Sequence, residues 1–271
     1  METEYSSGSF TVSSTPKQRG PILSIANLTS PGTFTGDDLY NLWWGLRYQA
    51  LYQYNRSPWV EHGYCPALEN VILLSPGQPA PAGTWHIELL DTSDQEGALG
   101  YHEDATFDQH SEGPKKGSGR SSRGLAAQRL TPLAKVFCKT SKDDGVAPSE
   151  VASHEMVEML ADPQVVNESE IRKYLNSENK QWYIGELCDA VQGRGYDVGA
   201  PEGRSTGVVV ADFVYPSWFG QVQTRPYTSF AEEARIAPRV EPFTLAPGGY
   251  MSIAPENEPS NWHQIYGSTQ T

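Results

Sequence analysis

The chain has 271 residues, and its 33 acidic and 20 basic side chains give a formal net charge of −13 at pH 7. Because proteins bind nucleic acid through Lys and Arg at the phosphates, an acidic chain without a strong basic cluster is not expected to bind it. No apolar run approaches the roughly 18 residues of a membrane span, and the polar N-terminus lacks the apolar segment of a secretory signal. We therefore expect no membrane contact, no signal peptide, and a cytoplasmic or virion location.

The predicted elements mix helices and strands. A helix is expected at about 37–53, because apolar side chains recur there at helical spacing and Thr35 with Asp38 forms a capping-box start. The segment 92–132 shows little regular pattern. The other expected elements, in chain order, are strands at 70–75, 84–90 and 133–140, helices at 149–161 and 168–176, an apolar segment at 181–191, a strand at 207–215 and a segment at 247–254. This mixture predicts an α+β fold.

The domain organisation follows from where polar and patterned stretches alternate. Residues 1–35 are predicted to be a polar N-terminal tail or arm, because their start is rich in Ser, Thr and Gly. Residues 36–255 are predicted to form a single domain, and residues 256–271 a C-terminal tail. The stretch 103–130 is expected to be a loop that has a function, such as covering a cleft, or is disordered.

The informative helix is the one around 149–161, which carries an imidazole and three carboxylates on one side. At 100° per residue, Glu158, Asp162 and Glu155 lie about 40°, 80° and 100° from His154. Anions at the C-terminal end of a helix are disfavoured by its dipole, and no Lys or Arg lies between Glu150 and Asp162 to offset them. A bound cation would resolve this conflict, whereas the simpler alternative is an acidic face in contact with solvent.

The spacing within this helix is that of a metal-binding motif. His154 and Glu158 are one turn apart and can bind one cation from the same side, and Glu155 beside them can act on a water at that cation. This is H-E-x-x-H with Glu in place of the second His. The replacement makes the site harder and more anionic, so that zinc is held less tightly or another divalent cation is favoured.

A third ligand is expected downstream, at Glu186 or Asp189. These two acids lie three residues apart in an otherwise apolar stretch, where unpaired carboxylates are costly. One of them is predicted to bind the cation, while the other orients His154 through its second ring nitrogen. The alternative is an ordinary exposed turn.

Four segments together resemble a known group of proteins. They are SHEMVEMLADP, WYIGELCDAVQGRGY, VVVADFVYPSWF and FTLAPGGYM. The chain resembles, over about 83–254, a group of uncharacterised bacterial and phage proteins with an HExxE helix, and more distantly the exordium-like (phosphate-induced) proteins. The resemblance implies a zincin-like metallopeptidase-type fold with a mixed sheet, an active-site helix and long loops. It also implies the ligand set above, but no activity.

Two further features belong to this comparison. In zincin peptidases a strand at the edge of the cleft precedes the active-site helix, and 133–140 is expected to be that strand. The segment around Tyr101 and His102 also occurs in the group, so His102 is a candidate further ligand and Tyr101 a candidate donor to an oxyanion. Cys188 lies beside two acids, which would raise the pKa of its thiol and make it a poor nucleophile.

Two functions are consistent with these residues. The first is a metal-dependent hydrolase, peptidase-like and zinc-dependent or dependent on another divalent cation. In it Glu155 is the general base, His154, Glu158 and Glu186 or Asp189 are the ligands, and Asp162 supports them from outside the ligand set. The second is a structural or interaction protein, such as a phage virion component, on the same scaffold with a structural metal or none. The expected partners are a peptide or protein substrate, or a homo- or hetero-oligomeric assembly.

Overall fold

The computed structural model describes residues 20–105, 131–163 and 172–268, and of residues 104 and 105 the backbone alone. Most of the predicted loop at 103–130 and of the predicted N-terminal tail lies outside these residues. The helices are α1 (Gly36–Tyr48), α2 (Pro58–Glu61), α3 (Cys138–Asp143), α4 (Pro148–Ala161) and α5 (Phe230–Glu233). The strands are β1 (Ile22–Asn27), β2 (Asn70–Leu73), β3 (Trp85–Leu90), β4 (Gly100–Ala105), β5 (Thr131–Phe137), β6 (Lys173–Asn176), β7 (Gln181–Ile184), β8 (Tyr196–Asp197), β9 (Val209–Val210), β10 (Tyr250–Pro255) and β11 (His263–Tyr266).

The larger sheet of the described residues has five strands in the order β2-β1-β3-β5-β4. Its first four strands are parallel, and β4 runs antiparallel to β5 at one edge. The parallel strands carry near-continuous apolar runs, as expected for strands buried on both faces. Residues 22–27, assigned above to the N-terminal arm, form β1 between two partners, with Leu23 and Ile25 buried.

Helix α4 packs against this sheet near its antiparallel edge and contacts β5, β4 and α1. Pro148 begins the helix, where its missing N–H costs nothing, and the helix ends at Ala161 before Pro163, as the sequence predicts. Val151, Met156 and Leu160 bury its apolar side in the core. This packing fixes the motif-bearing helix beside the edge strand.

A second sheet, in the order β11-β10-β7-β6, is antiparallel throughout. The chain leaves β7 at Ile184 and forms a short 3-10 turn at Asp189–Val191. Strand β10 passes close to this turn, because a Cβ on Gly249 would lie only 2.5 Å from the carbonyl oxygen of Ala190. The glycine therefore allows β10 to bring Tyr250 up to the segment that follows β7. The residues 263–266 of the predicted C-terminal tail pair with β10 as β11.

Several predicted elements differ from those observed. The predicted strand at 133–140 ends at Phe137, and Cys138 begins α3. This strand, β5, is not the edge of the sheet, because β4 pairs with its outer side. The described part of the predicted helix at 168–176 is strand β6, since pairing with β7 opposes Tyr174 to Tyr183 and packs Tyr174 on Phe219. Tertiary pairing outweighs local helical preference here.

The coarse prediction of an α+β fold with a mixed sheet is confirmed. The capping box at Thr35 and Asp38 is also confirmed, although α1 ends at Tyr48 and continues as a π-helical turn at Gln49–Gln53. In the parts of the chain that the structure describes, no helix is long and apolar enough to cross a membrane.

Candidate metal centre

The polar residues of α4 are buried rather than in contact with solvent. Only 12% of the His154 side chain and 5% of the Glu158 side chain are exposed, and Glu155 is buried as well. Burying an unpaired carboxylate costs several kcal/mol, so these groups need compensating partners. The acidic side of the helix is therefore not a solvated face.

The turn after β7 brings the third acid to His154. The Nε2 atom of His154 lies 3.0 Å from Oε1 of Glu158 and 3.2 Å from Oδ1 of Asp189. Ligand atoms around a tetrahedral zinc ion with bonds of about 2.0–2.1 Å are separated by roughly 3.3 Å. The two His154 contacts are close to this spacing, and of the two downstream acids Asp189 is the one that contacts His154.

Strand β4 adds a second histidine to the same cluster. The Nδ1 atom of His102 lies 3.3 Å from Oε2 of Glu155 and 4.0 Å from Oε2 of Glu158. This approach depends on Gly100, where a Cβ would lie 2.7 Å from Val151 Cγ1 and 3.1 Å from Glu155 Oε1. The absence of a side chain at Gly100 thus lets the edge strand lie directly against α4.

Glu186 lies close enough to this group for the charges of Glu158 and His102 to shift its pKa. Burial, and then the charge of Glu158, raise the pKa of Glu186 well above its usual value. Its Oε2 atom is buried and has no hydrogen-bond donor among the described residues. Together these residues form one group, called the acidic cluster below: His102, His154, Glu155, Glu158, Glu186 and Asp189.

The ionisation of the acidic cluster reflects crowded negative charge. Burial and the nearby Asp189 raise the pKa of Glu158 to about 7, although His154 partly offsets them. Burial lowers the pKa of His102, but Glu186, Glu155 and Glu158 outweigh burial and raise it to about 10. Burial is therefore the main cause of the Glu158 shift, whereas the neighbouring carboxylates cause the His102 shift against the effect of burial.

A cavity of about 560 Å³ lies over the cluster, with His154, Glu155, Glu150, Arg194 and Tyr250 among the residues that line it. Burial raises the pKa of the Tyr250 hydroxyl well above its usual value, and the charge of the nearby Asp189 adds to the effect. Tyr250 is a residue of the site that the sequence motifs did not indicate. The available signal was its place directly after Gly248 and Gly249, which permit close approach of the backbone.

The remaining predicted residues lie at the margin of the cluster or outside it. Asp162 is not helical, and its Oδ2 accepts a hydrogen bond of 2.7 Å from the backbone N–H of Arg172. Tyr101 is one residue from His102 and therefore lies on the other face of β4. Its hydroxyl accepts a hydrogen bond of 2.7 Å from Lys135 and donates one of 3.1 Å to Asp94.

Cys188 belongs to the wall of the site. Its backbone N–H donates a 3.2 Å hydrogen bond to Oε1 of Glu158, and its thiol lies with ligand atoms of His154 and Glu158 in a group no more than 4.8 Å across. Burial raises the pKa of this thiol well above its usual value, and the nearby Glu158 and Asp189 add to the effect. The expected direction of the shift is confirmed, with burial as the larger cause.

Comparisons with known proteins add no relative to this description. No protein-family model, curated protein or solved structure matches the chain. The geometry of the acidic cluster is therefore the basis for any functional conclusion.

Proposed function

We propose that the chain is a metal-dependent hydrolase of the peptidase type. The observation that carries this proposal is that Nε2 of His154 lies 3.0 Å from Oε1 of Glu158 and 3.2 Å from Oδ1 of Asp189, and that His154 and Glu155 line the same cavity. Three protein ligands with a neighbouring base, open to a cavity, are the parts of a catalytic rather than a structural metal site.

The fold that we propose for this function is zincin-like. Supporting it are the mixed sheet with the antiparallel strand β4 at its edge, the helix α4 beside that edge, and the third ligand supplied from downstream in the chain. The resemblance of the four sequence segments points the same way. In this proposal β4 has the part of the zincin edge strand, because it is the last strand of the sheet and its residues Gly100 and Tyr101 line the cavity.

The donor set fits a divalent cation. One imidazole and two carboxylates are ligands that zinc accepts, and the anionic character also suits harder first-row cations such as Mn²⁺. When bound, the cation would polarise a substrate carbonyl and acidify water. The two carboxylate charges among its ligands would nearly cancel the charge of the ion and reduce this effect.

The protein's own residues have separate parts in the proposed hydrolysis. Glu155 removes a proton from the attacking water as the water oxygen forms a bond to the peptide carbonyl carbon. The same proton passes to the departing amine as the C–N bond breaks. Tyr250 lies near Asp189 and lines the same cavity as His154 and Glu155, where it would border a bound substrate.

The first experiment measures metal content. Purified wild type, His154→Ala and the exposed control His62→Ala are dialysed together and analysed by plasma mass spectrometry. We expect stoichiometric zinc or another divalent cation in the wild type and the control, and at least one ion fewer per chain in His154→Ala. Absence of stoichiometric metal from all three proteins would contradict the proposal.

The alternative function is a structural or interaction protein that keeps the cation as a staple. It predicts that His154→Ala is destabilised while Glu155→Gln behaves as wild type in every assay. The hydrolase predicts that Glu155→Gln keeps its fold and the cation at His154 but loses the cleavage of susceptible members of a peptide library.

A further inference from the structure

The carboxylate of Glu158 faces two histidines with its two oxygens. Its Oε1 lies 3.0 Å from His154 Nε2, and its Oε2 lies 4.0 Å from His102 Nδ1. A carboxylate used in this way can bridge two cations, as in dinuclear hydrolase sites with ions about 3.5–4 Å apart. We propose that a second divalent cation binds between His102, Glu155 and Glu158, so that Glu158 bridges two ions. This inference rests on the proposed function for the first ion.

The spacing of the second set supports this assignment. His102 Nδ1 and Glu155 Oε2 are 3.3 Å apart, which is about the separation of neighbouring ligands in a tetrahedral site. Ligand atoms of His102, Glu155 and Glu158 all lie within 4.8 Å of one another. A small divalent ion can therefore contact all three after small side-chain movements.

An independent observation is the unsatisfied carboxylate next to this set. The Oε2 atom of Glu186 is buried and lacks a hydrogen-bond donor in the described part of the chain, and so does Nε2 of His102. The great majority of buried polar atoms in native proteins have a hydrogen-bond partner, and a buried atom without one indicates a bound ion or water. A cation beside His102 gives Glu186 a partner of opposite charge.

The charges of the acidic cluster also favour two ions. It contains four carboxylates, and the ion pairs found for them in the described residues are with the two histidines. One divalent cation leaves an excess of buried negative charge even when His102 is protonated. Two divalent cations with both imidazoles neutral balance the carboxylates, and a buried site without net charge has the smallest desolvation cost.

Glu155 can still act as a base in the presence of the second ion. Its Oε2 faces His102, whereas its Oε1 lies toward Gly100, a residue that lines the cavity. One oxygen is therefore directed to the second ion, and the other remains on the cavity side for the proton of water. The first-row cations Zn²⁺ and Mn²⁺ suit this mixture of imidazole and carboxylate.

The test is metal stoichiometry in the full chain. Metal-free wild type, His102→Gln, Glu186→Gln, His154→Ala and the control His62→Ala are titrated with Zn²⁺ and, separately, with Mn²⁺. We expect two ions per chain in the wild type and control, and one in His102→Gln. For Glu186→Gln we expect at least a tenfold weaker second binding step. Circular dichroism checks that each variant is folded. If His102→Gln does not fold, the second binding step of Glu186→Gln tests the second site instead.

A spectroscopic readout tests the bridge itself. With two Mn²⁺ ions bound, wild type should give the exchange-coupled paramagnetic resonance spectrum of neighbouring ions, and His102→Gln the six-line spectrum of an isolated ion. One ion in wild type that is retained in His102→Gln and lost in His154→Ala would overturn the second site and leave the proposed function intact. Two uncoupled ions, or two ions retained in His102→Gln, would also overturn it. No bound ion in any protein would contradict both proposals.

Discussion

Two groups of acidic side chains in this protein have opposite surroundings. Asp197, at the end of β8, accepts hydrogen bonds of 2.9, 2.7 and 2.7 Å from the backbone N–H groups of Gly199, Thr206 and Gly207. Partial burial raises the pKa of Asp197, but bonds from the Thr206 hydroxyl and these amides outweigh it and lower the pKa to about 2. In the acidic cluster, by contrast, the pKa of Glu158 is raised to about 7.

The difference shows that the fold supplies hydrogen-bond donors to one buried or half-buried carboxylate and not to another. The loop around Asp197 provides fixed donors, so the carboxylate is stabilised within the chain. The acidic cluster provides other carboxylates and two imidazoles, and leaves Glu186 Oε2 without a donor in the described residues. Asp197 has its donors within the chain, whereas the carboxylates of the acidic cluster are buried beside one another.

The largest expected effect is that of Glu155→Gln on the rate of peptide cleavage. Removing the general base is expected to lower the rate of peptide cleavage by about 10²–10⁴-fold, since that is the usual contribution of general acid–base catalysis. The rate is measured on the best substrate from a fluorogenic peptide library. The exposed control Glu178→Gln should cleave at the wild-type rate, and equal rates in both variants would contradict the role of Glu155.

Binding of Zn²⁺ should stabilise the folded chain. At a free concentration 100 times the Kd, one bound ion raises the free energy of unfolding by about 2.7 kcal/mol, because it binds the folded state alone. Thermal unfolding with and without Zn²⁺ measures this increase. Zn²⁺ should stabilise His62→Ala as much as wild type and His154→Ala much less. Equal stabilisation of His154→Ala would contradict binding of the ion at α4.

Glu186→Gln should change stability in opposite directions with and without metal. In the metal-free chain it relieves crowding among buried carboxylates, and we expect the free energy of unfolding to rise by about 1–3 kcal/mol at pH 7. With saturating Zn²⁺ the gain should shrink or reverse. Urea denaturation of this variant, wild type and the exposed control Glu178→Gln provides the comparison, and a loss of stability without metal would show that Glu186 is already satisfied.

Asp197→Asn should lower the free energy of unfolding by about 1–2 kcal/mol at pH 7, because the amide replaces a charged acceptor of several hydrogen bonds. The native pKa of about 2 is below the unfolded value, so the ionised form stabilises the fold above about pH 4. That contribution is lost as the pH falls from about 4 through 2. Denaturation of wild type and variant across this range should show the difference shrinking, while Asp143→Asn stays close to wild type throughout.

Much of the helix-borne part of the site was predictable from the sequence. The i, i+4 spacing of His154 and Glu158 fixes their common side on any helix, and Pro148 and Pro163 mark where that helix starts and stops. The downstream acids were found because carboxylates in an apolar stretch need partners. The spacing left open which of them reaches His154, and the 3-10 turn at Asp189–Val191 gives that contact to Asp189.

Other features depended on contacts between distant segments. The sequence pattern did not show that β4, rather than β5, lies at the edge of the sheet, because strand order is set by pairing and not by local propensity. The same holds for β6, where pairing with β7 replaced a predicted helix. Strand β1 likewise enters the middle of the sheet from a region that reads as a polar arm.

The sequence by itself determined the α+β character, the motif-bearing helix and the imidazole and carboxylate side chains that it carries, because these follow from local periodicity and residue type. Only the tertiary structure decided that the acids are buried, that Asp189 joins His154, and that Glu158 is shared with His102. The physical reason is that burial and the sharing of a charge are properties of several segments packed together. A carboxylate's surroundings, unlike its spacing, cannot be read along the chain.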